Sequence, residues 1–155
     1  MSDSWKKEFI ENLVTRLQSI TEANGYGVTV REIYADDIPM AIDLERFNLP
    51  AILVLDSEDR LIREHQILRG RWQIELQLVA DEENDSYMNK FVRAVMKSIF
   101  ANNPTAQKND AFKALSCNVF DMECSAVIPD LNMIEANRLY QMIFLVHYHA
   151  RNYNF

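Results

Sequence analysis

The segment from Arg69 to Ala80, RGRWQIELQLVA, constrains the fold most strongly, because apolar and polar residues alternate along it from Arg71 onward. Successive side chains of a β-strand point to opposite faces of a sheet, so strict alternation is typical of a half-buried strand. We therefore predict a strand here with one apolar and one polar face. The apolar face comprises Trp72, Ile74, Leu76, Leu78 and Ala80, and the polar face comprises Arg71, Gln73, Glu75 and Gln77.

Two other segments have the periodicity of amphipathic helices, with apolar residues three and four positions apart. The first ends at NGYG, residues 24–27, where two glycines favour a tight reversal of the chain. The second ends at ANNP, residues 101–104, because proline cannot continue a helix. The apolar stripes are Trp5, Phe9, Leu13, Leu17 and Ile20 in the first helix, and Tyr87, Phe91, Val95 and Ile99 in the second.

Further strands are predicted where β-branched and aromatic residues cluster between turn-forming residues. Residues 57–68 are ambiguous, and we interpret them as a loop or an extension of a strand at the sheet edge. In NVFDMECSAV the alternation places Phe120, Met122, Cys124 and Ala126 on one side, and Val119, Asp121, Glu123 and Ser125 on the other. The further predicted strands are residues 28–34, 51–56, 118–127 and 139–149, with a short helix within 36–47 and a helical turn within 106–115.

The predicted order is helix, three strands, helix and two strands, and several strands follow one another without a crossover helix. This order predicts an α+β fold, in which a mixed, mainly antiparallel β-sheet carries the two main helices on one face. A length of 155 residues with 48% hydrophobic residues suits one domain over 1–155 with a substantial core. A short aromatic C-terminal tail, residues 150–155, follows the last strand and ends in Tyr153 and Phe155.

The charge balance bears on the possible partners. A net charge of −7 argues against nucleic acid, because phosphate binding needs clustered lysine and arginine. The charge is uneven: residues 1–85 hold 9 basic and 18 acidic residues, whereas residues 86–155 hold 7 and 5. Such asymmetry allows head-to-tail contact between copies. No apolar run is long enough for a membrane span, and the N-terminus lacks a secretion signal, so we expect synthesis in a cytoplasm without membrane insertion.

Four acidic residues directly after the Arg69–Ala80 strand are the first candidate for a functional site. Converging carboxylates at a strand end could bind Mg²⁺ or Mn²⁺. The alternative, which we favour, is that they stabilise the positive end of the following helix, with Asp85 or Ser86 as its cap. The cluster consists of Asp81, Glu82, Glu83 and Asp85.

His147 and His149 are two residues apart in a predicted strand, so both rings point to one face and could bind zinc or copper. No third ligand is marked by the sequence, and we favour a structural position at the polar end of the strand.

Cys117 and Cys124 lack the paired spacing of a zinc site, so we interpret them as free thiols. Only three glycines are present, which excludes phosphate-binding glycine loops, and no catalytic signature occurs. The sequence thus predicts neither a catalytic residue nor a cofactor.

The succession of elements resembles the tail-terminator, or tail-completion, proteins of long-tailed bacteriophages over residues 5–150. The amphipathic N-terminal helix leads into GVTVREIY, and the proline-led strand NLPAILVLD follows. After RGRWQIELQLVA comes a helix with a methionine and phenylalanine stripe, and the last strand is LYQMIFLVHYHAR. The resemblance is one of pattern and order, without a diagnostic motif.

The resemblance implies a non-enzymatic virion protein that caps the finished tail tube as a ring, commonly of six copies, and offers the surface that meets the head. The implied partners are further copies of the chain, the tail tube protein and a head-completion or connector protein. The implied location is the tail of the virion, after synthesis in the host cytoplasm. The family has no catalytic residues to carry over.

A closed ring needs one patch on each subunit to meet a different patch on the next subunit. We predict that the acidic cluster is one such patch, and that basic residues on and after the second helix form the other. Unpaired strand edges and the C-terminal aromatic residues are further candidates. The predicted interface residues are Asp81, Glu82, Glu83, Asp85, Lys90, Arg93, Lys97, Tyr153 and Phe155, with Lys108 and Lys113 flanking the basic patch.

Three alternatives stay open from the sequence. Another virion role, as a head-closure, connector or baseplate protein, has the same expected chemistry. A small metal-dependent hydrolase could use Asp81, Glu83, His147 and His149, and bound metal would distinguish it. A compact acidic binding module would stay monomeric at concentrations where a ring protein assembles.

Overall fold

A computed structural model describes residues 4–35, 48–64, 67–81, 85–100, 119–129 and 138–149. The order of helices and strands in these residues is the predicted one, which is therefore confirmed. The helices are α1 (Ser4–Gln18) and α2 (Asp85–Phe100). The strands are β1 (Glu32–Tyr34), β2 (Ala51–Glu64), β3 (Ile67–Ala80), β4 (Val119–Ile128) and β5 (Arg138–His149).

The five strands form one sheet in the order β1-β2-β3-β5-β4. Only β1 and β2 are parallel, and the other three pairs are antiparallel. The central pair is β3 with β5, in which Arg69 lies opposite His149 and Ala80 lies opposite Arg138. The prediction of a mixed, mainly antiparallel sheet is thus confirmed.

Both helices cover the same face of the sheet, as predicted from the order of the elements. The apolar residues of β3 are buried against the helices, and Trp72 is the largest of them, with 1% of its surface exposed. Burial of large apolar side chains at about 25 cal/mol per Å² is the main stabilising contribution to such a core. The helix residues facing β3 and its neighbours include Phe9, Leu13 and Leu17 of α1 and Phe91, Val95 and Ile99 of α2.

A single arginine joins the two helices at their C-terminal ends. The Arg16 guanidinium donates a hydrogen bond from Nη1 to the carbonyl oxygen of Ile99, at 2.8 Å. This bond satisfies one of the carbonyl groups that the last turn of a helix leaves unpaired. Burial lowers the pKa of Arg16, although the side chain stays a cation at neutral pH because its ordinary pKa is so high.

The ambiguous segment 57–68 is mostly strand. β2 continues to Glu64 and β3 begins at Ile67, so the interpretation as an extension holds and that of a loop is wrong for these residues. The sequence was ambiguous here because β2 contains a β-bulge. Asp56 lies opposite Ile74 whereas Asp59 lies opposite Trp72, so β2 has one extra residue between these two pairs. The extra residue breaks the alternation of β2, and with it the signal that would have marked the strand.

A second bulge, at the start of β4, makes the predicted faces of this strand wrong there. The register shifts between Val119 and Asp121, so Val119 is buried in the core although it was predicted on the side of Asp121. Phe120 was predicted beside Met122 but packs instead against His149, with the ring centroids 4.7 Å apart. Bulges re-aim side chains in this way wherever one residue is inserted into a strand.

The strand predicted over 28–34 is shorter than expected. β1 contains only Glu32–Tyr34, and the preceding Val28 and Val30 are buried without strand pairing. The backbone there bonds elsewhere, because the Val30 amide donates to the carbonyl of Ile20. The helix predicted within 36–47, the turn within 106–115 and the tail 150–155 lie outside the described residues.

Candidate functional site

The acidic cluster lies at the junction of β3 and α2. Asp81 is exposed at the end of β3, and Asp85 is the first residue of α2. Glu82 and Glu83 lie outside the described residues. Acids at a helix start interact favourably with the helix dipole, which agrees with the structural role that we favoured.

The basic residues of α2 form a stripe on its solvent side. Lys90, Arg93 and Lys97 are three and four residues apart and all exposed. The Lys97 ammonium lies 5.2 Å from the centre of the Tyr26 ring, a cation–π distance. The remaining predicted interface residues, Tyr153 and Phe155, lie outside the described residues.

The histidines and Asp81 lie at opposite ends of the sheet. His149 pairs with Arg69 at one end of β3, whereas Asp81 follows the other end of that strand. Ala80 comes eleven positions after Arg69 along β3, which is about 35 Å at the usual rise per residue. A metal site that joins Asp81 to the histidines is therefore excluded by distance. Within the described ranges no three side chains of His, Cys, Asp or Glu are grouped for metal binding.

Both histidines instead pack on the Phe120 ring, and His147 also pairs with an acid. His147 Nε2 lies 3.1 Å from Glu123 Oε1, and the Phe120 ring lies 6.1 Å from the His147 ring. On the other side of β4, burial raises the pKa of the Cys124 thiol, which keeps it protonated and poorly reactive at neutral pH. The structural interpretation of the histidines fits these contacts.

Sequence reasoning missed a row of two arginines and a histidine on the face of the sheet away from the helices, which we call the open face. Arg60 of β2 lies directly opposite Arg71 of β3, and Arg71 lies directly opposite His147 of β5. These three residues, here named the cationic row, share a face because paired residues of neighbouring strands point the same way. Two residues nearer the hairpin tip, a second row contains Ile62, Arg69 and His149.

Two cavities border the cationic row, and Arg71 lines both. The first has a volume of about 250 Å³ and is also lined by Glu58, Arg60, Gln73, Ser125 and Leu145. The second has a volume of about 350 Å³ and is also lined by Ile62, Arg69, Gly70, Phe120, Asp121 and His147. The Arg69 guanidinium lies 5.5 Å from the centre of the Phe120 ring. The open face thus combines cations, an aromatic wall and concave surface at one end of the sheet.

A cluster on the helix-covered face explains how α1 is attached to the β2–β3 hairpin. The Lys6 ammonium lies 5.3 Å from the centre of the Trp72 ring and 5.6 Å from that of Tyr148. Lys6 also forms an ion pair with Asp59, which the bulge of β2 turns toward the helix. The hydroxyl of the fully buried Tyr148 donates to Asp59 at 2.7 Å. The bulge therefore places one carboxylate where it binds an ammonium and a phenol.

Replacing Asp59 with alanine is expected to lower the free energy of unfolding by about 2 kcal/mol, because a charged acceptor of two partly buried donors is lost. Asp59→Asn keeps an acceptor oxygen and should cost about half as much. The measurement is urea unfolding followed by circular dichroism. Glu58→Ala is the matched control, since Glu58 is exposed and pairs only with the neighbouring Arg60 among described residues. Equal costs for Asp59→Ala and Glu58→Ala would contradict this role of the bulge.

The described residues define an α+β fold, a five-stranded mixed sheet with two helices on one face. No family model matches the chain, and no curated protein matches it. A solved structure that is similar is a chain from "Virion of native gene transfer agent (GTA) particle", with a TM-score of 0.54 and 8% sequence identity. The match covers 89% of this chain and 92% of that chain. At such low identity the likeness is one of fold.

Neither helix in the described part of the chain has the length and apolar character that crossing a membrane requires.

Proposed function

We propose that this protein is a structural component of a long-tailed phage or phage-like virion, and that it completes the tail as a ring. The observation that carries the proposal is the fold shared with a chain of a gene transfer agent virion over nearly the whole length of both chains. The order of elements that resembles the tail-terminator proteins supports the finer assignment. The partners in this role are further copies of the chain, the tail tube protein and a head-completion or connector protein.

The chemistry of the described residues is compatible with this role. Asp81 and the histidines are too far apart for one metal site, which argues against the hydrolase site that would combine them. Other virion roles, in head closure or in the baseplate, share the support that comes from the fold. Assembly into a ring is the property that would distinguish a tail-completion protein from a monomeric binding module.

The ring assignment leads to a direct test with the purified full-length chain. Native mass spectrometry and negative-stain microscopy at increasing protein concentration should reveal closed rings, commonly of six copies. A chain that stays monomeric at all concentrations would contradict the proposal. Genome position is an independent check, because a gene for tail completion is expected beside genes for the tail tube and the tape measure.

The acidic cluster and the basic stripe of α2 are the proposed contact surfaces within the ring. Glu82→Lys with Glu83→Lys is expected to reduce the oligomeric fraction in light scattering at low salt, because the reversed charges repel Lys90 and Arg93 of the next copy. The matched control reverses two exposed acids of the first helix and its loop, Glu8→Lys with Glu22→Lys. An unchanged mass distribution in the first variant, or equal loss in the control, would remove the cluster from the interface.

A further inference from the structure

The cationic row places two arginines side by side on neighbouring strands. Arg60 and Arg71 are directly opposite each other on neighbouring strands, and His147 follows on the next strand. Like charges in directly opposed positions of a sheet destabilise it. A bound group of negative charge would offset the repulsion between the two arginines.

The acids around the row do not neutralise Arg71. Glu58 pairs with Arg60 Nε at 2.6 Å, and Glu123 pairs with His147 at 3.1 Å. Asp121, which pairs with His147 across β4 and β5, accepts a hydrogen bond from the amide of Met122. Among the residues that the structure describes, the half-buried Arg71 guanidinium has no hydrogen-bond or ion-pair partner. Arg71 lines both cavities, so a ligand in either could pair with it.

The two cavities have the size and the spacing expected for alternate side chains of an extended peptide. Their volumes of about 250 and 350 Å³ lie at or below the low end of the range for whole small-molecule ligands, roughly 300–1,000 Å³. The cationic row and the second row are two residues apart along each strand, which is about 6.6 Å. Alternate side chains of an extended peptide have the same spacing. Arg71 in one row and Arg69 in the other would then each meet one such side chain.

We propose that the open face binds an extended acidic segment of a protein partner, with carboxylates at alternate residues. One carboxylate lies between Arg60 and Arg71, and the other lies beside Arg69, where Phe120 and Ile62 contact the aliphatic stem. Arginine suits this role because its planar donors match a carboxylate in a two-bond geometry. A protein segment is favoured over nucleic acid because the net charge of −7 repels a long polyanion but leaves a short local contact possible.

This inference goes beyond the proposed function, since it concerns a binding surface that a ring protein or a monomer could equally possess. The test uses the full chain labelled with nitrogen-15 and a capped peptide, Thr-Glu-Val-Glu-Thr, added at low ionic strength. Amide shifts should concentrate on β2, β3 and β5 around Arg60, Arg71 and His147. Arg71→Gln should weaken binding by about ten-fold or more, as expected for loss of a charge-assisted contact.

The matched control is Arg63→Gln, which removes the same charge from the same hairpin three residues from Arg60. By alternation along β2, Arg63 points to the face opposite Arg60, so peptide binding should be unchanged. The peptide Thr-Gln-Val-Gln-Thr should not bind. The inference is overturned by equal binding of the glutamine peptide, by equal loss in both arginine variants, or by no binding at all. Tighter, Arg71-dependent binding of a single-stranded oligonucleotide would also overturn it, because the site would then be one for phosphates.

Discussion

Replacement of Trp72 by alanine is expected to lower the free energy of unfolding by about 4 kcal/mol, the middle of the range for removal of a large buried aromatic side chain. Trp72 is 1% exposed and lies where α1 meets β2 and β3. Its ring centre lies 5.5 Å from that of Phe9 and 5.8 Å from that of Trp5, both in edge-to-face geometry. The variant therefore removes aromatic contacts and leaves a cavity under α1. A whole domain is stabilised by only about 5–15 kcal/mol, so this loss is a large fraction of the total.

The matched variant is Trp72→Phe, which retains most of the buried ring and removes the indole N–H. That group donates to Asp56 Oδ1 at 2.7 Å, and Asp56 is exposed, so water can replace the lost donor. We expect a cost of about 1 kcal/mol for the lost hydrogen bond, with a further small contribution from the smaller ring. Urea unfolding followed by circular dichroism measures both variants. A cost for Trp72→Ala no larger than that for Trp72→Phe would contradict the position assigned to Trp72 in the core.

The residues around Trp72 illustrate how much of the fold can be predicted from the sequence. The strand was predictable because β3 is central and has one covered face, so every second residue had to be apolar. The helices were predictable for the same reason, since each presents one apolar stripe to that face. From these periodicities, the α+β class, the element order and the face that carries the helices could all be predicted.

The contacts of Asp56 and Asp59 could not be predicted, because they depend on the bulge between them. A bulge inserts one residue and reverses which side chains point inward, and no periodic pattern marks it. The same cause hid the true position of Phe120 and Val119 in β4. Asp59, which binds Lys6, thus fell in the segment interpreted as a loop or a strand extension.

The cationic row was hidden for a different reason, which is that it depends on pairing between strands distant in sequence. Arg60 and Arg71 are eleven residues apart, and His147 comes much later in the chain. Their opposition requires the register of β2 with β3 and of β3 with β5, and register is fixed by tertiary packing. Composition gives no hint of it, because the chain as a whole is acidic. A local concentration of positive charge can therefore exist in a protein whose net charge argues against it.

The second large expected effect concerns Gly70, the one glycine of β3. Gly70 lies directly opposite Tyr148 of β5, and the Tyr148 ring lies across the glycine. A Cβ atom at position 70 would lie 1.9 Å from Cζ of that ring and 2.2 Å from Cε1. The ring cannot easily move away, because Tyr148 is fully buried and packs on Trp5 with ring centres 4.7 Å apart. Its hydroxyl is also held by Asp59.

Gly70→Ala is therefore expected to cost about 3 kcal/mol, at the upper end of the usual range for overpacking a core. The reason is steric rather than conformational, because the added Cβ would clash with the Tyr148 ring of the neighbouring strand β5. Gly25→Ala is the matched control: Gly25 has a φ of +84°, but nothing lies within 4 Å of an added Cβ. Backbone strain alone should then cost about 1–2 kcal/mol there. Urea unfolding measures both variants, and a cost for Gly70→Ala below that for Gly25→Ala would show that Tyr148 does not occupy the space above Gly70.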